Sequence, residues 1–338
     1  QLANDQQGSA NLGQSFAFFG LEDWATSYAQ ASYTPYWAGS HLFLADRYVG
    51  LFTKNAELFQ GLLSDPTVFG AGNRFKSLVA APASHGGLSL RYTRSDDVEG
   101  WSPQAELSGY RAEPKPMAYY LGYEKIDWDR FDRPFELDTL TAAFGIKPRH
   151  DIGVFVFADA SRQDSQPFSD SGLVYDLEDS LDTRRLDIGF NLKRAPDDQI
   201  WLNAGYFRSD EDLAGTLGVD TVDADTRVEV PEFALRHTFD NKAGHQISWG
   251  VDTGRRMTDA SIEDDFFLRR DYRVRESSLD LYVADRFSLN ERLEIDAGLF
   301  WQRQRRHALE QPYLTLFDPP EPGTPDEESS NATQLNPR

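Results

Sequence analysis

The 338 residues include no cysteine, which excludes a disulfide framework and a thiolate metal site and suits a cell-envelope protein. Long apolar runs are missing as well. No stretch approaches the roughly twenty apolar residues that a membrane helix needs, and mean hydropathy is −0.56. Bases are few: 34 Lys and Arg against 55 Asp and Glu leave a net charge of −21. That field argues against nucleic acid and other phosphate-rich partners, which need a basic surface. No Gly-rich phosphate loop, nucleophile elbow or zinc motif occurs. The chain starts at Gln1 with no signal peptide before it, so it reads as a mature or excised fragment.

What the chain does have is alternation. Arg184–Arg194 puts Leu186, Ile188, Phe190 and Leu192 on one side and Asp187, Gly189, Asn191 and Lys193 on the other. Glu291–Gln304 repeats this with Leu293, Ile295, Ala297, Leu299 and Trp301 against Glu294, Asp296, Gly298 and Gln302. Period two over so many residues means strands whose faces meet two different solvents. Eleven such strands are expected, near 88–94, 104–113, 117–124, 137–147, 151–161, 184–194, 199–207, 229–240, 245–255, 275–287 and 291–304.

Their connections alternate between short and long. The short ones are turn formers: Pro114-Lys115-Pro116, Pro148-Arg149-His150, Ala195-Pro196-Asp197-Asp198, Asn241-Lys242-Ala243-Gly244 and Ser288-Leu289-Asn290. The long ones are 95–103, 125–136, 162–183, 208–228, 256–274 and everything after 304. The expected fold is mainly β, an up-and-down antiparallel transmembrane β-barrel over 88–338. Its alternating faces explain the low hydropathy, and the 13% aromatic content suits interfacial girdles. Long loops of such barrels are extracellular, so the first strand runs outward and the residues before it are periplasmic. Eleven strands would leave the chain end outside and the barrel incomplete, with 333–338 leading into a further strand.

Before the barrel the period is helical. Leu12-Gly13, Phe16 and Ala25, then Leu44-Ala45 and Tyr48, with Pro35 between, are spaced like a tetratricopeptide repeat about two residues short of the usual ~34. An ordinary helical hairpin fits the same residues. Residues 1–63 are expected to be this periplasmic segment, and the Gly-, Ala- and Pro-rich 64–87 a connector.

Candidate chemistry is sparse. The six histidines are scattered without metal-ligand spacing. His237 and Ser248 lie on neighbouring expected strands, with no third group to orient them and period two able to part them. Acidic runs in the long loops, such as Asp220, Asp223 and Asp225, offer oxygens to divalent cations but lack an EF-hand pattern. More often such runs are simply solvated. On the polar side of the strands, Asp187, Asn191, Asn203, Arg236, Asp252, Asp280, Glu294 and Asp296 are expected to face the lumen. This acidic lining would disfavour anionic permeants, or its charges would pair and brace the wall.

Four segments carry a resemblance: 12–16 (LGQSF), 41–48 (HLFLADRY), 119–124 (YYLGYE) and 185–190 (RLDIGF). Together they resemble proteobacterial envelope proteins in which tetratricopeptide repeats precede an outer-membrane barrel similar to that of TonB-dependent receptors. The layout is also similar to exopolysaccharide exporters. The resemblance implies an outer-membrane transport or export protein, not an enzyme, without a cofactor. Its repeat module would recruit a periplasmic protein partner, and its barrel would contact outer-membrane lipid. The pattern departs from true TonB-dependent receptors in lacking, before Leu88, anything with the size and pattern of their plug. Two alternatives remain: a structural or adhesive anchor displaying acidic loops, and a soluble β-sandwich binding protein.

Overall fold

The computed structural model describes residues 84–337, apart from short stretches in the turns and residues 315–320. The expected helical segment 1–63, with Leu12, Gly13, Phe16, Ala25, Leu44, Ala45 and Tyr48, lies outside the described residues, as does most of the connector.

All described secondary structure is β. The strands are β1 (Ser84–Arg94), β2 (Val98–Arg111), β3 (Met117–Arg130), β4 (Arg133–Arg149), β5 (Ile152–Ser165), β6 (Tyr175–Ala195), β7 (Asp198–Leu217), β8 (Asp220–Asp240), β9 (His245–Asp264), β10 (Leu268–Asn290), β11 (Leu293–Leu314), the two-residue β12 (Glu321–Pro322) and β13 (Asp326–Pro337). From β1 to β12 each strand pairs antiparallel with the next, and β13 pairs with β11. This is one up-and-down sheet, not the two packed sheets of a sandwich.

Eight of the eleven expected strands sit inside an observed one, and β2, β5 and β11 absorb theirs apart from a residue or two. Most described residues of the long links, however, do not form loops. They are the same strands continued: β6 to β11 have 21, 20, 21, 20, 23 and 22 residues. A tilted strand crosses a bilayer in about 9–11 residues, so half of each hairpin projects beyond it. Alternation fails in these extensions because charged residues stand on both faces, yet the ladder continues through Asp210↔Arg227, Leu213↔Ala224 and Gly215↔Val222. The region after 304 is corrected in the same way. β13 runs back from Glu310↔Asp326 to Leu299↔Pro337, so the long strands number twelve and the last ends beside the short-turn side, not outside. The expected final turn residues Ser288-Leu289-Asn290 belong instead to β10, which ends at Asn290, with a register break between Ser288 and Asn290. At the β8–β9 turn the Gly244 N–H donates to the Asn241 carbonyl at 3.1 Å, with Gly244 at φ 82°. That left-handed conformation is one glycine adopts without strain.

The two faces are inverted relative to a soluble protein. Leu88 is 89% exposed, Ile188 48% and Leu299 45%, and of the exposed large hydrophobics all but Ile262 share this face by register. The other face buries Asp187, Asn191, Asn203, Arg236 and Asp252. Water as the only solvent would drive the reverse arrangement, whereas lipid outside and polar groups inside produce this one. The apolar belt also slides along the ladder. One cross-strand row runs Phe144, Val156, Ile188, Ala204, Phe233 and then meets Thr253 and, further on, Arg303. The row through Phe190, Leu202, Leu235, Val251, Leu281 and Trp301 stays apolar to β11. Tilted strands require this drift, because a level membrane cuts successive strands at different residues. Aromatic residues border the belt, with Trp101, Tyr123 and Tyr206 at the long-strand side and Trp249, Phe239 and Phe287 at the short-turn side.

This assignment of faces predicts unequal costs for one charge. Leu202→Arg, in the middle of the apolar belt, should lose roughly 2–4 kcal/mol in urea-driven unfolding from lipid vesicles. Gln302→Arg, opposite Asp280 on the buried face, should lose much less; equal losses would reverse the faces.

Candidate functional site

The chemistry concentrates on the buried face, where period two brings polar side chains of successive strands together. Thr141 Oγ1 on β4 donates to Asp159 Oδ2 on β5 at 2.7 Å. Ser161 and Thr183 share a hydrogen bond at 2.6 Å. On β6 the Arg185 Nε donates to Asp187 Oδ2 at 2.5 Å, with both side chains at or below 3% exposure. Asn203 on β7 also hydrogen-bonds Asp187, and Gln199 Nε2 donates to Asn191 Oδ1 at 3.1 Å. Farther round, Arg236, Asp252, Asp280 and Tyr282 stand on β8, β9 and β10 within electrostatic reach of one another. Among the described residues, both oxygens of Asp252 are buried without a hydrogen-bond partner.

Aromatic rings fill the spaces between. Phe155 and Phe157 are fully buried, and Tyr120, Trp201, Phe207 and Tyr282 are nearly so. Phe155 lies flat across Gly189, its partner on β6; a Cβ there would fall inside the ring. Glycine opposite an aromatic lets a large side chain lie along the sheet instead of projecting from it.

Of the expected lining residues, Asp187, Asn191, Asn203, Arg236 and Asp252 are buried on this one face, and Asp280 shares it by pairing with Asp252. Glu294 and Asp296 have the same parity, opposite Ser288 and Arg286. The sequence reading overlooked Arg185 and the aromatic lining. Arg185 had a signal: Arg-x-Asp puts both side chains on one face of a strand. The same spacing forms ion pairs at Arg149–Asp151, Arg162–Asp164, Arg208–Asp210 and Arg269–Asp271.

The His237–Ser248 pairing is corrected. His237 pairs with Trp249 on the exposed face, while Ser248 points to the other face and bonds Thr238 at 3.0 Å. His237 instead accepts from Trp249 Nε1 through Nδ1 at 3.1 Å and meets Asp198 through Nε2 at 2.9 Å. A nucleophile and base on opposite faces cannot exchange a proton. Among the described residues no three carboxylate or imidazole groups converge as a metal-ligand set.

The hairpin extensions carry their own electrostatics. On β7, Arg208 and Arg227 hold the Asp210 carboxyl below the usual carboxylate range. Two residues on, the hydrogen bond that protonated Asp212 donates to its cross-strand neighbour Asp225 raises Asp212, with burial and the charges of Asp225, Asp210 and Asp182 adding to it.

No protein-family model matches the sequence, and no curated protein matches it. Solved structures do. The chain is similar to the ferric yersiniabactin uptake receptor FyuA of Yersinia pestis, with TM-score 0.57 and 11% identity over 75% of this chain and 43% of that one. It is similar to the ferric citrate transporter FecA, with TM-score 0.56 and 12% identity over 75% and 40% of the two chains. It is also similar to the ferric-catecholate import receptor Fiu of E. coli K12, with TM-score 0.51 and 12% identity over 73% and 52%. At these identities the likeness is one of fold. The fold is that of an outer-membrane β-barrel similar to TonB-dependent receptors, and the matched region spans about half the length of those receptors or less. Such a fold sets the exposed apolar face in lipid.

Two tests follow from the site. Asp187→Ala strands the Arg185 guanidinium and should cost about 3–5 kcal/mol, whereas Arg185→Met with Asp187→Leu should recover most of it; unfolding titrations of the three variants decide. For Asp212 the folded carboxyl binds its proton more tightly than the unfolded one. Its stabilising contribution is therefore complete at low pH and fades as pH rises through the raised folded value. Asp210 acts oppositely, losing its contribution only as pH falls below the ordinary carboxylate range. Hydrogen-exchange protection in the outer halves of β7 and β8 should therefore fall as pH rises above the ordinary carboxylate range. Asp212→Asn should flatten that fall, and protection that rises with pH there would contradict the assignment.

Proposed function

We propose that the chain forms the wall of an outer-membrane transport barrel whose buried polar face lines the path of the solute. The observation that carries this reading is the inversion of faces: polar and charged side chains set among aromatic rings on the buried face, backed by an apolar exterior. A barrel that served only as an anchor has no need of charges as deeply buried as Arg185, Asp187, Arg236 and Asp252. The likeness to uptake and import receptors supports transport as the task. Asp252 and Asp280, beside the single Arg236, give this part of the lining an excess of negative charge, which favours cationic or neutral solutes over anionic ones. The repeat-like segment 1–63 is proposed to recruit a periplasmic partner to the short-turn side.

A second reading has its own observation. Strands of 20 to 23 residues raise acidic hairpins well beyond the bilayer, as a structural or adhesive anchor would. Planar-bilayer recording separates the two. The full chain, shown to be folded by heat-modifiable migration, should conduct with cation preference. Asp252→Asn combined with Asp280→Asn should shift the reversal potential toward zero selectivity. Silence from the folded protein would favour the anchor.

A further inference from the structure

The exposed face of β9–β11 carries arginines that nothing among the described residues neutralises. In one cross-strand row Ser277 on β10 stands between Arg255 on β9 and Arg305 on β11. Arg303 is two residues along from Arg305 on the same face. All three are exposed, and among the described residues none makes an ion pair or hydrogen bond. The neighbouring acids are already held. Asp259 takes Arg275 at 2.7 Å and Arg273 at 3.4 Å, and Glu327 takes His307 at 2.8 Å. Most residues beside the arginines are small and polar: Ser277 between Arg255 and Arg305, Thr253 next to Arg255, and Asn331 and Thr333 opposite Arg305 and Arg303 on β13, with Leu279 alone apolar beside Arg303. They leave the guanidinium groups uncovered.

The position is as informative as the charge. Immediately toward the short turns lie Leu279, Leu281, Trp301, Leu299 and Leu335, the apolar belt itself. The arginines therefore sit where the hydrocarbon ends, on the side of the long hairpin extensions, which faces outward in such barrels. A guanidinium there can snorkel out of the apolar phase and takes a phosphate in two parallel hydrogen bonds. Neighbours in the row two strands apart are about 10 Å apart at Cα, and those two residues apart about 7 Å. Side chains of arginine length converge over both spans.

We infer that Arg255, Arg303 and Arg305 form a docking site for the phosphorylated headgroup of an acylated glycolipid in the outer leaflet. The net charge of −21 does repel phosphate from the molecule as a whole. A lipid escapes that repulsion because its acyl chains hold it against the apolar belt, directly below the arginines. The inference depends on the barrel fold and not on transport.

Native mass spectrometry of the full chain refolded in detergent tests it, with bis-phosphorylated lipid A as the probe. Wild type should retain a bound lipid at concentrations where the triple variant Arg255→Gln, Arg303→Gln, Arg305→Gln binds more than about tenfold more weakly. Arg184→Gln, an unpaired arginine away from the patch, should bind as wild type does. Two arms use wild type alone, so they stand even if the triple variant misfolds. Dephosphorylated lipid A should not be retained, and inorganic phosphate at millimolar concentration should not displace the lipid. Equal retention of the dephosphorylated lipid, displacement by phosphate, or unchanged binding in a folded triple variant would each overturn the site.

Discussion

Every backbone N–H and C=O that enters hydrocarbon has to be paired within the protein, and a ladder between neighbouring strands is how a sheet does it. The ladder here runs from Ser84↔Gly109 to Leu299↔Pro337, with two-residue gaps at Ser102-Pro103 toward β3 and Val230-Pro231 toward β9 that leave the register unchanged. Its register slips are confined to the short turns, near Ile146 and Arg149, Lys193 and Ala195, and Ser288 and Asn290. That confinement matters because a slip of one residue exchanges the two faces of a strand. With slips only at the turns, parity set on β3 still holds on β11. The polar face stays polar and the apolar face apolar across the whole sheet.

The two faces then solve different problems. On the buried face a charge costs several kcal/mol unless it finds a partner, and Arg185 and Asp187 meet that condition within one strand, helped by Asn203 from the next. Asp252 has the charge of Arg236 within reach but, among the described residues, no hydrogen bond to either oxygen. On the exposed face the solvent changes along each strand. Leucine and valine occupy hydrocarbon, aromatic rings the borders, and beyond them lie ion pairs such as Arg208–Asp210–Arg227. Those pairs are exposed, so each adds little stability. Their collective effect is to let a regular ladder continue into water.

How much of this is legible without coordinates differs by feature. Leu186 to Leu192 announce a two-faced strand from their own spacing, and Asn241 to Gly244 announce its turn. The extensions do not announce themselves. Residues 208–228 look like a loop because charges occupy both faces, and only the partner strand reveals the pairs. Arg185 lay in between: its spacing from Asp187 was visible, but the same spacing at Arg162–Asp164 produces an exposed pair. The repeat-like pattern of Leu12 to Tyr48 stays a statement about sequence.

The order of the strands, the short turns and the polarity of each face are properties of the chain alone, since hydrophobic alternation and turn residues act over neighbours a few positions apart. Tertiary structure decided how far each hairpin climbs, that β13 returns beside β11, that His237 and Ser248 part company, and which carboxylates and guanidinium groups find counter-charges. These depend on what stands opposite across the ladder, as many as forty residues away in the chain for His245 and Asp285, and only the register between strands brings those residues together.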